Sequence, residues 1–410
     1  MPAADGPAER IAPQPWMEEP ATRAVLAALG PGNARFVGGS VRDALLRRAV
    51  VDIDIATPLV PEEVTRRLAQ AGISVVPTGL AHGTVTAVVP PRQFEITTLR
   101  RDVETFGRHA RVEYTDDWSA DAARRDFTMN ALFLDPEGNL FDPAGGLGDL
   151  RAGRVRFVGD PRQRIREDVL RLLRFYRFHA HYGRGAADAD ARSAARALRD
   201  LLPSLSAERV AAELLKLLAA ADPVPTLALM QEDGVLAVVL PEARTLDRLQ
   251  RLVPLEPAPD ALRRLAALVA WDAETARAVA ERLKFSGTAR DRLVQMAAPS
   301  WPVDLAAPAP AQRRALYRLG AELYRELVLL RASESATPEQ ARPLLERAAS
   351  WRVPRFPLKG RDATARGVSA GPEVGRLLAE TEAWWEDGDF RADRAECLVE
   401  LERRIARRPG

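Results

Sequence analysis

The sequence predicts an α+β protein in which an N-terminal domain, with one β-sheet flanked by helices, precedes an all-α remainder. Two observations predict this fold class. The first is that, up to about residue 155, short runs rich in β-branched and aromatic residues alternate with helical stretches, as in mixed-sheet domains. The predicted strands lie in ARFVGG, VVDIDIAT, GTVTAVV, QFEITTL and NALFLD, and the predicted helices in VRDALLRRA and PEEVTRRLAQAG.

The second observation is a change of texture at about residue 161. From there Ala, Leu, Arg and Glu dominate, and apolar residues recur at helical spacing, as in REDVLRLLRFYRFHA. Pro-rich segments at LVPLEPAPDA and APSWPVDLAAPAPAQ predict joints between helical bundles. The predicted domains are a flexible lead (1–20), a sheet-containing head (21–155), a helical neck (156–222), a helical body (223–330) and a helical tail (331–410).

Composition and charge narrow the class of protein. Of 410 residues, 47% are apolar and 28% charged, which is ordinary for a globular protein, and no segment has the ~18 apolar residues of a membrane span. The first 20 residues lack the basic start and apolar core of a secretory signal. The single cysteine, Cys397, allows no internal disulfide. These features predict a cytoplasmic protein that does not bind a membrane.

The distribution of charge is more informative than the net charge of +2. Residues 151–177 hold nine arginines against three acids, and such a patch attracts phosphates. The alternative is a solvated basic face in an Arg-rich chain, since only three of the 59 basic residues are lysines.

Two acids lie one residue apart inside a strand-like run, at Asp52 and Asp54. Alternate side chains of a strand share a face, so these carboxylates point the same way with Cα atoms ~6.5 Å apart, while Val51, Ile53 and Ile55 face a core. Convergent carboxylates repel unless a cation lies between them, and hard oxygen ligands suit Mg²⁺ together with substrate phosphates. The alternative is an edge strand with two solvated acids.

A glycine turn just upstream strengthens the metal interpretation. In FVGGSVRD, a short β run enters Gly38 and Gly39, and Ser40 opens a predicted helix. Glycines let backbone N–H groups approach a phosphate, a helix N-terminus favours an anion there, and Arg42 adds a charged donor. Glu95 in QFEITTLR is a tentative third metal ligand, although a single exposed Glu on an amphipathic strand is at least as good an explanation.

In their order along the chain, these segments resemble the bacterial and eukaryotic class of tRNA CCA-adding enzymes and bacterial poly(A) polymerases. The stretches that carry the resemblance are GGSVRDALLRRAVVDIDIAT, RRDFTMNAL, DPAGGLGDLRAGRVRFVGDPRQRIREDVLRLLRFYRF and FPLKGRDATARGVSAGPEVGRLL. Two positions depart from the family pattern: Arg47 replaces a usual Gly, and Val51 replaces a frequent basic residue. Neither departure removes a carboxylate or a glycine of the turn.

The resemblance implies roles for further residues. Arg124, Arg125 and Asp126 would hold the triphosphate and ribose of an incoming nucleotide, with Asp126 accepting a hydrogen bond from the 2′-hydroxyl; the alternative is a salt bridge in a turn before a strand FTMNALF. The charged segment 99–118 resembles the mobile loop of the family, which is implicated in the switch from C to A addition.

The segment REDVLRLLRFYRF would read the base. Asp168, Arg171 and Arg174 are spaced three apart, with Arg177 following, so on one helix they form a ribbon. A carboxylate that only accepts and a guanidinium that only donates match the amino group and ring nitrogen shared by cytosine and adenine. In the family the Asp and first Arg of this motif do this, which here implies Asp168 and Arg171. Arg174 and Arg177 would support the pocket or contact phosphates. The alternative is a surface salt bridge.

The sequence therefore predicts a Mg²⁺-dependent nucleotidyltransferase that adds C, C and A to the tRNA 3′ end from CTP and ATP, with tRNA as its partner. A bacterial poly(A) polymerase or an A-adding enzyme is the alternative within the class. A non-catalytic RNA-binding relative is the alternative outside it, against which the intact Asp52 and Asp54 speak.

Overall fold

The computed structural model describes residues 6–79, 83–106, 109–269, 272–335 and 338–407. For residues 78, 102–106, 109–112 and 338 it describes only the backbone. The chain divides into two compact units, one ending at Pro241 and one beginning at Glu242.

The first unit contains all strands of the described chain. They are β1 (Glu9–Arg10), β2 (Arg35–Val37), β3 (Ile53–Thr57), β4 (Ser74–Gly79), β5 (Thr84–Val89), β6 (Arg92–Thr98), β7 (Arg100–Phe106), β8 (His109–Tyr114), β9 (Phe133–Leu134) and β10 (Asn139–Phe141). Eight form one sheet in the order β1-β10-β9-β2-β3-β6-β5-β4, and β7 and β8 form a separate antiparallel pair. Within the large sheet only β3 and β6 pair in parallel.

The helices of the first unit surround this sheet and continue into a helical neck. They are α1 (Pro15–Glu18), α2 (Pro20–Leu29), α3 (Gly39–Leu45), α4 (Pro61–Gln70), α5 (Trp118–Ala123), α6 (Gly146–Ala152), α7 (Pro161–Glu167), α8 (Leu170–Tyr182), α9 (Ala189–Leu198), α10 (Ala207–Leu218), α11 (Val224–Glu232) and α12 (Val235–Val239). Short 3₁₀ helices cover Thr128–Asn130 and Arg199–Ser204.

Alternation along the strands builds the core of the sheet. Ile53 and Ile55 of β3 face inward with Phe94 and Ile96 of β6, and all four are essentially fully buried. Asp54 and Glu95, one residue out of phase with them, are directly paired across the two strands. The period-2 pattern therefore fixes which face of the sheet carries the acids.

The second unit is helical throughout its described part. Its helices are α13 (Asp247–Leu252), α14 (Ala261–Val269), α15 (Ala273–Arg282), α16 (Gly287–Ala297), α17 (Ala309–Glu334), α18 (Ala341–Ser350), α19 (Gly360–Thr364), α20 (Pro372–Asp387) and α21 (Arg394–Ala406), with 3₁₀ turns at Val253–Leu255 and Pro338–Gln340. Helix α17 is interrupted at Gly320, where φ is +77°. No helix of the described chain is long and apolar enough to cross a membrane.

The predicted fold class is confirmed: a sheet domain flanked by helices precedes an all-α remainder. The Pro-rich segments lie between α13 and α14 and between α16 and α17, both within the second unit, and their role as joints between helical bundles stays a prediction. The domain bounds given by the sequence stay predictions. The neck–body bound at residue 222 falls inside the first unit, because α11 and the following turn are tied to α8 by the hydrogen bond from the Tyr176 hydroxyl to Asp233, 2.7 Å.

Three local predictions are wrong. The lead of residues 1–20 is not a free segment from Glu9 onward, because β1 pairs with β10 and the buried Trp16 packs edge-on against Phe36, with ring centroids 4.7 Å apart. The segment FTMNALF is a 3₁₀ turn with only a short strand at its end. Val51 does not face the core; it lies outside β3 and is 73% exposed.

One departure from the family pattern has a visible backbone consequence. Arg47, where glycine is usual, has φ +55° after the end of α3. That left-handed conformation costs a residue with a Cβ roughly 1 kcal/mol relative to glycine.

Candidate active site

The acid pair stands at the start of β3 as the sequence pattern predicted. Asp52 immediately precedes the strand and is exposed, and Asp54 is half-buried within it. The intervening Ile53 is buried, so the two carboxylates are on the face away from the core. The buried Ile53 and Ile55 therefore anchor the backbone that presents the two acids.

The glycine turn lies beside Asp54 because β2 and β3 are paired. Val37, the last residue of β2, is opposite Asp54 in the antiparallel register, and Gly38 follows with φ +71°. A Cβ atom at Gly38 would lie 3.4 Å from Asp54 Oδ2 and 4.0 Å from Arg125 Nη1. These are ordinary van der Waals distances, so it is the backbone conformation that favours glycine here.

The acids at this edge are not neutralised by the surrounding protein. Burial, together with the negative charges of Glu95 and Asp52, raises the pKa of Asp54 to about 6, although Arg125 and Arg42 oppose the shift. Within the described ranges no three His, Cys, Asp or Glu residues are close enough to hold a metal ion. The arrangement thus offers a two-carboxylate edge whose excess negative charge matches a divalent cation that takes its remaining ligands from water and phosphate.

The side chains that follow the turn serve the protein interior. The Ser40 hydroxyl is buried and donates to the Val37 carbonyl, 3.1 Å. Arg42 is 7% exposed, donates to Asn130 Oδ1 at 2.8 Å and lies over the Tyr182 ring at 4.2 Å. Arg42 therefore ties α3 to α8.

The predicted triphosphate arginines share one buried acid. Arg124 donates to Asp121 Oδ1 and Arg125 to Asp121 Oδ2, each at 2.7–2.8 Å. Asp121 is 1% exposed, and although burial alone would raise its pKa, the two guanidiniums lower it. One carboxylate thus holds two cations, so this corner of the site keeps a surplus of positive charge near Gly38.

Asp126, the predicted ribose contact, is tied to the neck. Its Oδ1 accepts from the Phe127 N–H and from Asn130, and its Oδ2 accepts from Arg174 Nε and Nη2 at 2.8 and 2.5 Å. Burial opposes ionisation, but the Arg174 guanidinium and the other donors lower the pKa of Asp126 to about 2. All four acceptor positions of the carboxylate are used, so a ribose hydroxyl would have to share or displace one of them.

The proposed base-reading residues do not form the ribbon on one helix that the spacing suggested. Asp168 ends α7 with an extended backbone, φ −148°, and α8 begins at Leu170. Asp168 Oδ2 accepts from Arg209 at 2.8 Å, while Arg171 donates to Glu167 at 2.6 Å and to the Arg164 carbonyl at 3.1 Å. Asp168 and Arg171 are thus close in the chain, and each is held by another partner.

Further along α8, Arg174 and Arg177 are also partnered. Arg177 Nε donates to Glu213 at 2.5 Å, and Arg174 approaches the same carboxylate at 4.0 Å. Leu172, Leu173 and Tyr176, which lie between the arginines in the sequence of α8, are buried.

Sequence reasoning missed four acids and bases that complete this site: Asp121, Glu167, Arg209 and Glu213. The partners of Asp121 and Glu167 lie three or four residues along the chain, so helical spacing carried a signal for them. Arg209 and Glu213 lie on α10 and reach α8 only through tertiary packing, and the sequence pattern gives no signal for that contact.

The segment 99–118, predicted to resemble a mobile loop, contains β7 and β8, which pair in antiparallel register from Arg100↔Tyr114 to Phe106↔His109. Gly107, at its centre, lies outside the described residues. The backbone hydrogen bond from Thr115 to the Leu99 carbonyl, 3.0 Å, closes the base of this ribbon next to β6.

Comparison with known proteins identifies the family to which the chain belongs. Residues 34–156 match the family model described as the poly A polymerase head domain, and residues 188–246 match one described as the probable RNA and SrmB-binding site of polymerase A. A mouse protein named CCA tRNA nucleotidyltransferase 1, mitochondrial, is 33% identical over 89% of this chain and 85% of its own length. A CCA-adding enzyme of Streptococcus gordonii is 43% identical over 46% of each chain.

Among solved structures, that of the Bacillus stearothermophilus CCA-adding enzyme in complex with CTP covers 95% of this chain and 98% of its own, with a TM-score of 0.77 and 28% identity. The chain belongs to the family of CCA tRNA nucleotidyltransferases and poly(A) polymerases. It is an enzyme of the nucleotidyltransferase class, as the sequence predicted.

Proposed function

We propose that this enzyme adds C, C and A to the 3′ end of tRNA from CTP and ATP without a nucleic-acid template. The observation that carries the proposal is that the glycine turn at Gly38 lies beside the Asp54 carboxylate, whose negative charge is not balanced by the protein. A triphosphate with its divalent cation fits a glycine turn next to such a charge. The names of the relatives support the choice of substrate.

Asp52 and Asp54 are the proposed metal ligands and catalytic residues, and Mg²⁺ is the proposed ion. Glu95 is left out as a third ligand, because in the part of the chain that the structure describes no three such side chains are close enough to hold a metal ion. The donor set fits, because carboxylate oxygens are hard ligands and Mg²⁺ commonly takes only one or two of them, with water and phosphate completing its shell. Bound there, Mg²⁺ would activate the attacking hydroxyl and neutralise charge on the leaving group.

The transfer step is an in-line substitution at phosphorus. The 3′-hydroxyl oxygen of the tRNA forms a bond to the α-phosphorus of CTP or ATP, the bond to the β-phosphate oxygen breaks, and pyrophosphate leaves with both electrons of that bond. Gly38, Gly39 and Ser40 offer backbone N–H groups to the triphosphate, and Arg125 and Arg124 supply positive charge at that corner.

Asp168 and Arg171 are the proposed base-reading pair, and Arg174 and Arg177 support them. The Glu167 carboxylate orients Arg171, and the Arg209 guanidinium orients Asp168, so the acceptor and donor are fixed before the base arrives. A base with the inverted hydrogen-bond pattern would leave these partly buried groups unpaired, which disfavours U and G. Arg42 and Asp126 lie on the head side of the proposed pocket, and Asp126 is the proposed contact to the ribose.

The helical neck, body and tail are the proposed tRNA-holding domains, with the bounds predicted from the sequence. Recognition there rests on the shape of the RNA and on its phosphates rather than on base sequence. The arginine-rich segment 151–177 supplies part of that charge, although its arginines at 164, 171, 174 and 177 are already engaged by the protein.

The decisive experiment offers the purified chain a tRNA that ends before its CCA, with CTP, ATP or both, with Mg²⁺ or with EDTA, and sequences the products. We expect addition of CCA that stops cleanly and requires Mg²⁺. Long A runs would instead indicate a poly(A) polymerase, and addition only of A to a tRNA ending in CC would indicate an A-adding enzyme. No product with any substrate would overturn the catalytic proposal. The variant Asp54→Asn is the negative control, and Glu62→Gln, an exposed acid on α4, is its matched control.

A further inference from the structure

A short basic segment of the second unit, between α18 and α19, carries cations that the protein does not neutralise. Arg352, Arg355 and Lys359 are exposed on it, and no ion pair joins any of the three to an acid within the described part of the chain. Arg361, at the start of α19, is also exposed, and the acid next to it, Asp362, is held by Arg394. We call Arg352, Arg355, Lys359 and Arg361 the 352–361 strip.

The strip is unusual within its own unit, where many arginines have a carboxylate partner. The ion pairs include Arg263 with Glu256, Arg264 with Glu256, Arg292 with Glu326, Arg313 with Asp389 and Arg318 with Glu386. Those guanidiniums are neutralised in place. The strip leaves positive charge for an external partner.

The backbone that carries the strip is anchored by three apolar side chains of the same segment. The Trp351 ring lies 5.6 Å from Phe390 and the Phe356 ring 5.5 Å from Trp385, and Leu358 is 5% exposed in the same core. Arg394 Nη1 also donates to the Pro357 carbonyl at 2.5 Å. The cations therefore project from an ordered segment. Binding of a partner would cost little conformational entropy, because the backbone that carries them is already fixed.

We propose that the 352–361 strip binds the phosphate backbone of the RNA substrate, an inference that rests on the proposed function and names a contact surface for it. Residues 352 to 359 span at most about 25 Å of extended chain, enough to meet several successive phosphates. Recognition is by charge, because Val353, 46% exposed, is the single exposed large apolar side chain between Trp351 and Arg361. A membrane surface would need more apolar side chains to insert.

The test measures binding of tRNA lacking CCA to the full chain as a function of salt, which needs no catalysis. The triple variant Arg352→Gln/Arg355→Gln/Lys359→Gln removes three cations. Each lost phosphate contact lowers the slope of log K against log salt by about 0.7–0.9, so we expect a slope smaller by about 2 and a tRNA affinity at least ~10-fold weaker at low salt. KM for tRNA should rise, while KM for CTP stays unchanged.

The matched control removes three other exposed arginines of the same unit, as Arg342→Gln/Arg376→Gln/Arg403→Gln. Each of these is paired with an acid on its own helix, so the salt slope should change by less than half as much. The variant Arg352→Lys/Arg355→Lys keeps the charge and should keep the slope. Thermal unfolding midpoints equal to that of the unmodified chain establish that all three variants are folded.

An unchanged salt slope in the strip variant, or an equal loss in the matched control, would overturn the proposal. So would a strip-dependent affinity for polyglutamate or for anionic phosphatidylserine vesicles that exceeds the affinity for tRNA. Failure of the proposed function is distinguishable, because an enzyme that adds no nucleotide to tRNA leaves this binding measurement intact.

Discussion

The carboxylates at the start of β3 and those facing the neck helix α8 belong to the same unit but are in opposite electrostatic states. The pKa of Asp54 is raised to about 6 because burial and two neighbouring acids disfavour its charge. The pKa of Asp126 is lowered to about 2, although burial opposes this, because Arg174 and other donors hold its carboxylate.

This difference distinguishes the acids proposed to bind metal and substrate from the acids that are paired with arginines within the protein. The protein supplies Asp126, Asp121 and Glu213 with their cations, and the ion pair of Asp126 with Arg174 joins the head to the neck. It does not supply enough positive charge to Asp52 and Asp54. The proposed divalent cation would complete that edge, so removing one of these acids should affect catalysis far more than folding.

The largest expected effect is at the acids at the start of β3, whose charge the protein does not balance. Asp54→Asn should lower kcat for CTP addition by roughly 10³-fold, ~4 kcal/mol of activation free energy, because it removes a metal ligand. The thermal midpoint should stay equal or rise, since repulsion with Glu95 is relieved. Single-turnover kinetics measure the rate and calorimetry measures the thermal midpoint, with Glu62→Gln as the control. A destabilisation large enough to explain the loss of rate would contradict the contrast between the two regions.

The next effect tests the choice of base. Asp168→Asn gives the pocket an amide donor where it had only acceptors, so discrimination of CTP against UTP should fall by roughly 10²-fold, ~3 kcal/mol. The ratio of kcat/KM for the two nucleotides measures this change. The control is Asp160→Asn, at the N-cap of α7, where the Asp160 side chain accepts from the Gln163 N–H. This variant should leave the ratio unchanged. Equal ratios in the two variants would show that Asp168 does not read the base.

At the acids that are paired with arginines, a substitution should mainly change the free energy of unfolding. Arg174→Ala strands the Asp126 carboxylate and should cost ~2 kcal/mol of unfolding free energy near pH 7, less than for a fully buried pair because the Arg174 side chain is 31% exposed. Since the pKa of Asp126 is depressed, its contribution is fully present above pH ~4 and is lost as pH falls toward 2. The difference between wild type and variant should shrink over that interval.

Chemical denaturation at pH 7, 5, 4 and 3 checks this dependence. Arg342→Ala, whose side chain is 86% exposed, is the control and should change stability by less than ~0.5 kcal/mol at every pH. A pH-independent difference for Arg174→Ala would mean that the lost packing of its stem, and not its charge, accounts for the effect.

The smallest effect concerns the partner of Asp168. Arg209→Gln frees Asp168 Oδ2 from a half-exposed ion pair, so stability should change by less than ~1 kcal/mol. KM for CTP and ATP should rise by a few-fold with kcat nearly unchanged, because the carboxylate loses its preset orientation before the base binds. Arg209→Lys should restore much of the affinity; a variant with unchanged KM would show that Asp168 needs no orienting partner.

Local periodicity by itself determined much of this protein. Alternation in VVDIDIAT fixed the face that carries Asp52 and Asp54, because the period of a strand leaves no other choice once Ile53 and Ile55 are buried. The helical repeat from residue 161 onward, with its proline breaks, likewise determined an all-α remainder. The glycine turn was also identified from the local sequence FVGGSVRD, and the structure gives Gly38 a positive φ of +71°.

Tertiary structure alone decided the ion pairs between residues that are distant in the sequence. The spacing of Asp168, Arg171 and Arg174 suggested one ribbon, but a break before Leu170 and the approach of α10 give each a separate partner. Val51 looked like a core residue and lies outside the strand. Ion pairing between residues tens of positions apart depends on how helices pack, and a periodic pattern read along one segment contains no information about the segment packed against it.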